Sequence, residues 1–426
     1  MVVILGAGIA GLASAYRLNE LGTPYSIYEK GTSAGGLLRN FTIDGFRFDQ
    51  AIHLSFAKEP EVREIFDQTE YHTHQPESKC SYEGHWLRHP VQNNLAPLPD
   101  QQKVAIIEGF ANRGSGQVDT YKDWLSSQYG DVFSETFPTP YTRKYWDAEP
   151  EHLGVEWIGE RMSRPSIRQV LEGAFDLEIP NHYYAKEMRY PKTGGYMSFL
   201  DPIIGQVGKN IAVGHCVEAL DIKQKVVRFT NGFETPFDQL ISSIPLPVLI
   251  SSMSTAPEDV RKAAKKLEWT RVHIVSIGFN KPVNLKDLWF YIYDDDILAA
   301  RAYSPSLKSL DNVPQGCSSI QFEIYESSKN PARYQSVDLI KNCVDGLEKL
   351  KIASHDDIQL TDHRTLEYGN VTFYKGMEND RNYVRDWLES EGIILAGRFG
   401  KWEYLWSNQA MISGFEAADK VESASE

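Results

Sequence analysis

The chain lacks any apolar run of the roughly 18 residues needed to cross a bilayer, so none of its 426 residues is expected to span a membrane. Cysteine is scarce. Cys80, Cys216, Cys317 and Cys343 show no C-x-x-C or other metal-ligand spacing. Reduced thiols are the expectation, with neither a disulfide framework nor a bound metal. Positive charge is short as well: 44 Lys and Arg stand against 58 Asp and Glu, a net charge of −14. That balance repels nucleic acid and anionic membrane surfaces. It does not exclude an anionic small molecule, provided arginines gather locally in a pocket. Internal repeats and low-complexity tracts are missing too. The sequence opens on a strand-like run with no hydrophobic leader ahead of it, and the expectation is a cytoplasmic protein. Monomer and homo-oligomer are left equally open.

What is present is a globular composition, 42% hydrophobic and 24% charged, over a length that implies two or three domains. The first thirty residues organise the rest. Val2-Val3-Ile4-Leu5 is an apolar, β-branched run suited to a buried parallel strand. Gly6-Ala7-Gly8-Ile9-Ala10-Gly11 follows, then a helical pattern from Leu12 to Leu18, then a second strand, Tyr25 to Tyr28, ending at Glu29. In such a unit Gly6 allows the tight turn, Gly8 lets a pyrophosphate approach the backbone, and Gly11 lets helix and strand pack closely. The helix N-terminus offers free N–H groups to phosphate, and Glu29 is placed to accept ribose hydroxyls. Strand, glycines, helix, strand and acid in this order predict a dinucleotide site.

Further along, Phe41 to Ile43 reads as a short strand and Asp44-Gly45 as a turn before the segment Gly45 to His53, and residues 59–70 read as a helix. The stretch 71–100, rich in His, Pro, Asn and Gln, reads as a long connection out of the nucleotide domain. Helical patterns cover 103–110, 121–128, and 157–162 running into 167–175. Strands return at 211–213, 217–222, 226–229 and 239–244. From 271 to 325 apolar and polar residues alternate as in an antiparallel sheet. A helix at 337–351, a buried strand at 393–397 and a closing helix at 410–421 complete the chain.

A second glycine pair stands soon after the acid, in Glu29-Lys30-Gly31-Thr32-Ser33-Ala34-Gly35-Gly36-Leu37. It resembles the E-x-x-x-x-x-G-G signature of FAD enzymes of the amine oxidase, protoporphyrinogen oxidase and UDP-galactopyranose mutase superfamily. That resemblance implies FAD, held by Gly6, Gly8, Gly11, Glu29, Lys30, Gly35, Gly36 and Leu37. Other stretches resemble eukaryotic-type UDP-galactopyranose mutases in order along the chain: Trp86 to Asn94, Pro140 to Trp146, Trp157 to Arg161, Arg189 to Gly195, and Gly397 to Tyr404 followed by Asn408-Gln409.

The implied fold is α/β: a discontinuous Rossmann-like FAD-binding domain (1–75, 191–250 and 366–426), a mostly helical substrate-side insertion (76–190) and an antiparallel-sheet substrate domain (251–365). The implied activity is conversion of a nucleotide sugar, UDP-galactose or a relative, between pyranose and furanose forms. In that chemistry N5 of the reduced flavin attacks the anomeric carbon. Under the resemblance His53 faces the isoalloxazine and Arg398 lies between flavin and phosphates. Val217, Gly397 and Met411 join the cofactor contacts. Arg161 contacts the nucleotide, Trp146 packs beside the uracil, and Gln92 helps hold the UDP portion. Tyr404 and Tyr374 reach the pyrophosphate. The chain departs from the family at three places. His89 replaces a tyrosine, Thr142 replaces an asparagine, and Asp294-Asp295-Asp296 falls where a pyrophosphate arginine is expected. Arg301 is the nearest substitute, with Arg143 a second source of charge. An amine or protoporphyrinogen oxidase activity is the alternative enzyme reading, and a non-catalytic flavin-binding scaffold is a third.

Overall fold

Five short strands lie side by side in the order Ile393–Leu395, Gln239–Ser242, Val2–Leu5 (β1), Tyr25–Glu29 (β2) and Ile211–Val213, all parallel. The structure, a computed structural model, describes residues 1–75, 77–159, 161–162, 164–177, 187–331 and 333–423. Glu160, inside one of the motifs quoted above, lies outside them. All four residues of β1 are buried, as a parallel strand covered on both faces requires. The crossover helix Ile9–Leu21 (α1) carries Ala10, Leu12, Ala13 and Ala15 into the core and ends on a left-handed Gly22. It packs against the helix Ser407–Ser423, where Gly414 meets the backbone of Ala10 and Ser14 Oγ donates to Gly414 O at 2.9 Å. The α/β class and the Rossmann-like sheet therefore stand as expected.

The second body is a seven-stranded sheet, in the order Ile358–Thr372, Glu268–Phe279, Ser318–Ser327, Arg301–Tyr303, Trp289–Ile292, Lys79–Tyr82, His85–Arg88. Its pairings are antiparallel except Trp289–Ile292 with Lys79–Tyr82. Along Ser318–Ser327 every residue is buried, although the sequence alternates. Ile320, Phe322 and Ile324 join Val275, Ile277 and Phe279 in a core with Leu339 and Val344 of the helix Ser336–Lys349. Since side chains alternate across a strand, Ser319, Gln321, Glu323 and Tyr325 face the other way. They are buried too. A sheet that buries a polar face presents that face to something other than water.

Two expectations are corrected. Residues 71–100 are not a plain connection: they carry the strands Tyr71–His74, Lys79–Tyr82 and His85–Arg88. Each strand is four residues long, too short to show a period, and the first and second find partners far away in sequence, at Met188–Pro191 and Trp289–Ile292. Residues 157–159 form a turn and 161–162 a bend rather than a helix, which begins only at Ile167 behind the Ser166–Gln169 capping box.

Candidate functional site

The nucleotide end is built from backbone. Gly6 N–H donates to Tyr28 O and Gly35 N–H to Ala7 O, both at 2.8 Å, which stitches the first glycine loop to the second. Gly8 opens α1 without any side-chain cap, leaving first-turn N–H groups for an anion. A Cβ on Gly36 would stand 3.0 Å from Gly8 Cα. Glu29 accepts from the amides of Ala7 at 2.9 Å and Gly31 at 2.7 Å, so its carboxylate is fixed under the loop. Gly397, at φ 76°, donates to Ser413 Oγ at 2.8 Å and would touch Ala10 with any side chain. Met411 is buried in the same cluster as Ala10. Leu37 is half-buried in the turn Gly36–Leu38, Val217 starts the strand Val217–Asp221 of a separate three-stranded sheet, and Lys30 is exposed. His215, whose amide donates to Glu29 O at 2.8 Å, sets its ring at a tilt to Tyr28 and edge-on to Phe229 and Phe233. No sequence signal marked that aromatic group. A cradle closed to side chains, with an acid on its floor and free helix amides at its mouth, fits FAD.

The other end gathers charge on the buried polar face. Tyr145 and Tyr404 share a hydroxyl contact of 3.2 Å, and Asn370 Nδ2 donates to Tyr145 at 3.1 Å. Two hydroxyl protons and one bridge between them leave one proton for a bound anion. Three guanidinium groups surround this pair. Arg161 lies 4.8 Å and Arg398 5.4 Å from the Tyr404 ring centroid, and Arg301 5.5 Å from that of Tyr145. Arg398 donates to Leu405 O at 2.8 Å and to Asn370 Oδ1 at 2.9 Å, which fixes its fork. Arg161 donates to Tyr404 O at 2.7 Å, while its buried Nε has no partner among the described residues. Trp146 is buried and meets Tyr145 edge-on at 5.1 Å. A cavity of about 270 Å³ opens beside Arg161 and Tyr404, lined also by Trp157, Phe373, Arg381 and three carboxylates, Glu156, Glu378 and Glu403.

Arg301 pairs with Glu323 and donates to the Tyr325 hydroxyl at 3.0 Å. Burial opposes ionisation of Glu323, but Arg301, Tyr325 and the Ile52 amide at 2.7 Å hold the carboxyl below its usual range. The segment leading to His53 is thereby anchored to the sheet. His53 Nδ1 lies 3.0 Å from Ala51 O, so that nitrogen carries the proton, and the ring stacks on Tyr196 at 5.1 Å. Burial, aided by the Lys308 ammonium, pushes the imidazole down to about 3 from its ordinary 6.5. Burial likewise pushes His89 down to about 4. The unfolded rings take protons at about 6.5 and the folded ones only near 3 and 4. Their contribution to stability is therefore complete above pH 6.5 and is lost as pH falls toward 3 and 4. The urea midpoint is expected to drop between pH 7 and pH 4.5, and to drop less in a His53→Asn/His89→Asn variant. Equal drops in the two proteins would count against these shifts.

Not every expected residue comes to the cluster. The Tyr374 hydroxyl donates to Asp380 at 2.9 Å, away from the three arginines. His89 is held between Tyr291, 4.5 Å from its ring, and the Cys80 thiol. Gln92 is half-buried in the turn Val91–Asn93. Thr142 turns its hydroxyl back on Pro138 O at 2.6 Å. Arg143 reaches Glu149 at the surface and supplies no charge inward. The aspartate run is absorbed elsewhere: Asp294 accepts from Glu83 N at 3.1 Å and pairs with Lys349 at 3.2 Å, and Asp296 pairs with the same lysine. Of the two substitutes weighed for the missing arginine, Arg301 stands at the site. Tyr145, Asn370, Glu323, Asp49 and Lys308 were not foreseen; only Tyr145 lay inside a motif already singled out.

Residues 9–421 match the family of flavin containing amine oxidoreductases. The crystal structure of reduced UDP-galactopyranose mutase superposes with a TM-score of 0.94 at 26% identity, covering 99% of this chain and 95% of that one. A 1-hydroxycarotenoid 3,4-desaturase of Flavobacterium sp. (strain P99-3) is 49% identical over 47 residues, 11% of this chain and 10% of the desaturase. Protoporphyrinogen oxidase 2 of Arabidopsis thaliana is 35% identical over 66 residues, 16% of this chain and 13% of that enzyme. The chain thus matches only about a tenth of the length of these curated relatives. Among the described residues, no helix is long and apolar enough to cross a membrane.

Proposed function

We propose, from the premise that this chain belongs to the flavin containing amine oxidoreductase family, that it is an FAD-dependent sugar-nucleotide mutase. Its reaction is the interconversion of pyranose and furanose forms of UDP-galactose or a related nucleotide sugar. The observation that carries this reading is the convergence of Arg161, Arg301 and Arg398 on the paired hydroxyls of Tyr145 and Tyr404. A pyrophosphate carries charge that such a cluster matches. An oxidase or desaturase acting on an apolar substrate has no use for it. The likeness to UDP-galactopyranose mutase over 99% of the chain supports the same choice.

When bound and reduced, FAD supplies the nucleophile for the anomeric carbon. The chain's own residues do the rest. The spare proton of the Tyr145–Tyr404 pair and the guanidinium forks of Arg161 and Arg398 hold the pyrophosphate. They stabilise it as the leaving group, because charge grows on its oxygen as the glycosidic bond breaks. Trp146 and Trp157, 5.4 Å apart, give the nucleotide an aromatic wall. Glu323 fixes Arg301 and the Ile52–His53 segment in one network, and neutral His53 offers a hydrogen-bonding nitrogen without competing for the substrate's charge.

The test is titration of the FAD-loaded, dithionite-reduced protein with UDP, GDP, CDP and dTDP, read by flavin and tryptophan fluorescence. Saturable binding of one nucleotide is expected, weakened about 10- to 100-fold in Arg161→Met, as loss of a charge-assisted hydrogen bond implies. Binding of none of the four, together with substrate-dependent peroxide formation in air, would replace the mutase reading with the oxidase one.

A further inference from the structure

The cavity beside Arg161 and Tyr404 measures about 270 Å³, less than the roughly 300–1,000 Å³ of a pocket that takes a whole drug-sized ligand. It therefore seats one part of a nucleotide sugar. Its apolar lining is aromatic. Trp157 and Phe373 lie nearly parallel, ring centroids 6.1 Å apart, and Tyr404 meets both edge-on. Trp157 is fixed there, since its Nε1 donates to Gly154 O at 2.9 Å.

The charged groups of the lining differ in what they already hold. Arg161 donates to Trp157 O at 3.1 Å and to Tyr404 O at 2.7 Å. Glu403 pairs with Arg385 at 2.6 Å, and Glu156 accepts from the Val155 amide at 2.9 Å. Glu378, in the first turn of the helix Met377–Ser390, is half-buried, and among the described residues no side chain donates a hydrogen bond to it. Burial and the nearby Glu156 carboxylate hold its carboxyl above the usual range, and Arg381 works against them. Among the described residues no three His, Cys, Asp or Glu side chains come together to hold a metal ion, so these acids do not form a cation site.

A carboxylate only accepts, and it repels phosphate. The part of the ligand that meets Glu378 must bring donors and no negative charge. The pyrophosphate of the proposed substrate is matched by Arg161, Arg398 and the tyrosine pair. The reacting sugar belongs at the flavin, beside His53 and Arg398, and neither of these lines the cavity. On the other side of the pyrophosphate comes the nucleoside, and its first group is ribose. The vicinal 2′- and 3′-hydroxyls present two donors on one edge, the pattern that an acidic residue accepts in dinucleotide folds. The aromatic wall takes the apolar faces of ribose and base.

We propose that this cavity holds the ribose of the nucleotide sugar and that Glu378 accepts its 2′-hydroxyl, selecting ribonucleotides over 2′-deoxyribonucleotides. This rests on the nucleotide-sugar reading of the site. Arg381 lines the same cavity and offsets the carboxylate's charge. Discrimination arises because a ligand without the hydroxyl leaves a half-buried carboxylate short of a donor.

The experiment is a fluorescence titration of the FAD-loaded, dithionite-reduced protein with UDP, GDP and CDP, each beside its 2′-deoxy form, on wild type, Glu378→Gln and Glu378→Ala. For the base that binds, wild type is expected to hold the deoxy form about 10- to 100-fold more weakly, the worth of a hydrogen bond to a charged group. Glu378→Ala should bind both forms alike, at the affinity of wild type for the deoxy form. Glu378→Gln should fall between, since its amide oxygen still accepts but carries no charge. A general disturbance of the cavity would instead weaken both forms together, and that result overturns the proposal. So does equal binding of the two forms by wild type, a measurement that needs no variant to fold. A wild type that binds none of the six overturns the nucleotide-sugar reading itself, and this inference with it.

Discussion

Gly11→Ala is expected to yield protein without bound FAD and with stability lowered by more than about 3 kcal/mol, the upper end of overpacking costs. The reason is geometric. A Cβ at Gly11 would stand 1.9 Å from the carbonyl oxygen of Gly6 and 3.1 Å from its carbon. Both are backbone atoms of the loop that must meet the pyrophosphate, so relief can come only by moving the loop or lifting α1 off the sheet. Gly22→Ala is the control. It sits in the left-handed region at the end of the same helix, with nothing within 4 Å of its Cβ position. It should cost only about 1–2 kcal/mol and leave FAD in place. Absorbance of the purified proteins near the flavin bands and their thermal midpoints separate the two cases. A yellow Gly11→Ala protein with a wild-type midpoint would show that the helix and the loop do not pack as described.

Glu323→Ala is expected to destabilise the fold by about 3–5 kcal/mol, the cost of orphaning one member of a buried ion pair. The carboxylate is fully buried and takes three donors: Arg301, the Tyr325 hydroxyl at 2.6 Å and the Ile52 amide at 2.7 Å. Its loss leaves Arg301 charged and unmatched and frees the segment that ends at His53. The double variant Glu323→Leu/Arg301→Met should recover much of the lost stability, because two apolar side chains need no counter-charge. It should not recover nucleotide binding, since Arg301 is gone. Chemical denaturation of wild type, Glu323→Leu, Arg301→Met and the double variant gives the coupling. Additive effects would mean that Arg301 and Glu323 do not depend on each other.

The nucleotide half of the molecule was legible because its chemistry is local. Gly6, Gly8, Gly11 and Glu29 form one continuous stretch, and each glycine answers to a backbone approach within it. The substrate half was legible only where a motif happened to hold the residues, as with Arg161, Arg398 and Tyr404. Glu323 and Gln321 fall in a strand whose alternation looks like a solvated sheet. The pattern gives the period but not what the polar face meets, and here it meets the site. Asp49 and Lys308 come together from strand and turn 259 positions apart in the chain, and no local pattern reports such a pair. The strands Tyr71–His74 and Lys79–Tyr82 were missed for a related reason: hydrogen-bond partners of theirs lie near 188 and 290, so tertiary pairing, rather than propensity, makes them strands.

The packing of α1 against the helix Ser407–Ser423 has a consequence for biosynthesis. Ser14 is bonded to Gly414, and Gly397 presses on Ala10. The strand Ile393–Leu395 closes one edge of the sheet that β1 begins. The helix behind the glycine loop is therefore synthesised 400 residues ahead of the helix it packs against, although domains usually mature in the order of synthesis. Until residues near 414 emerge, the glycine loop has no helix against its back, and the nascent chain cannot take up its nucleotide early.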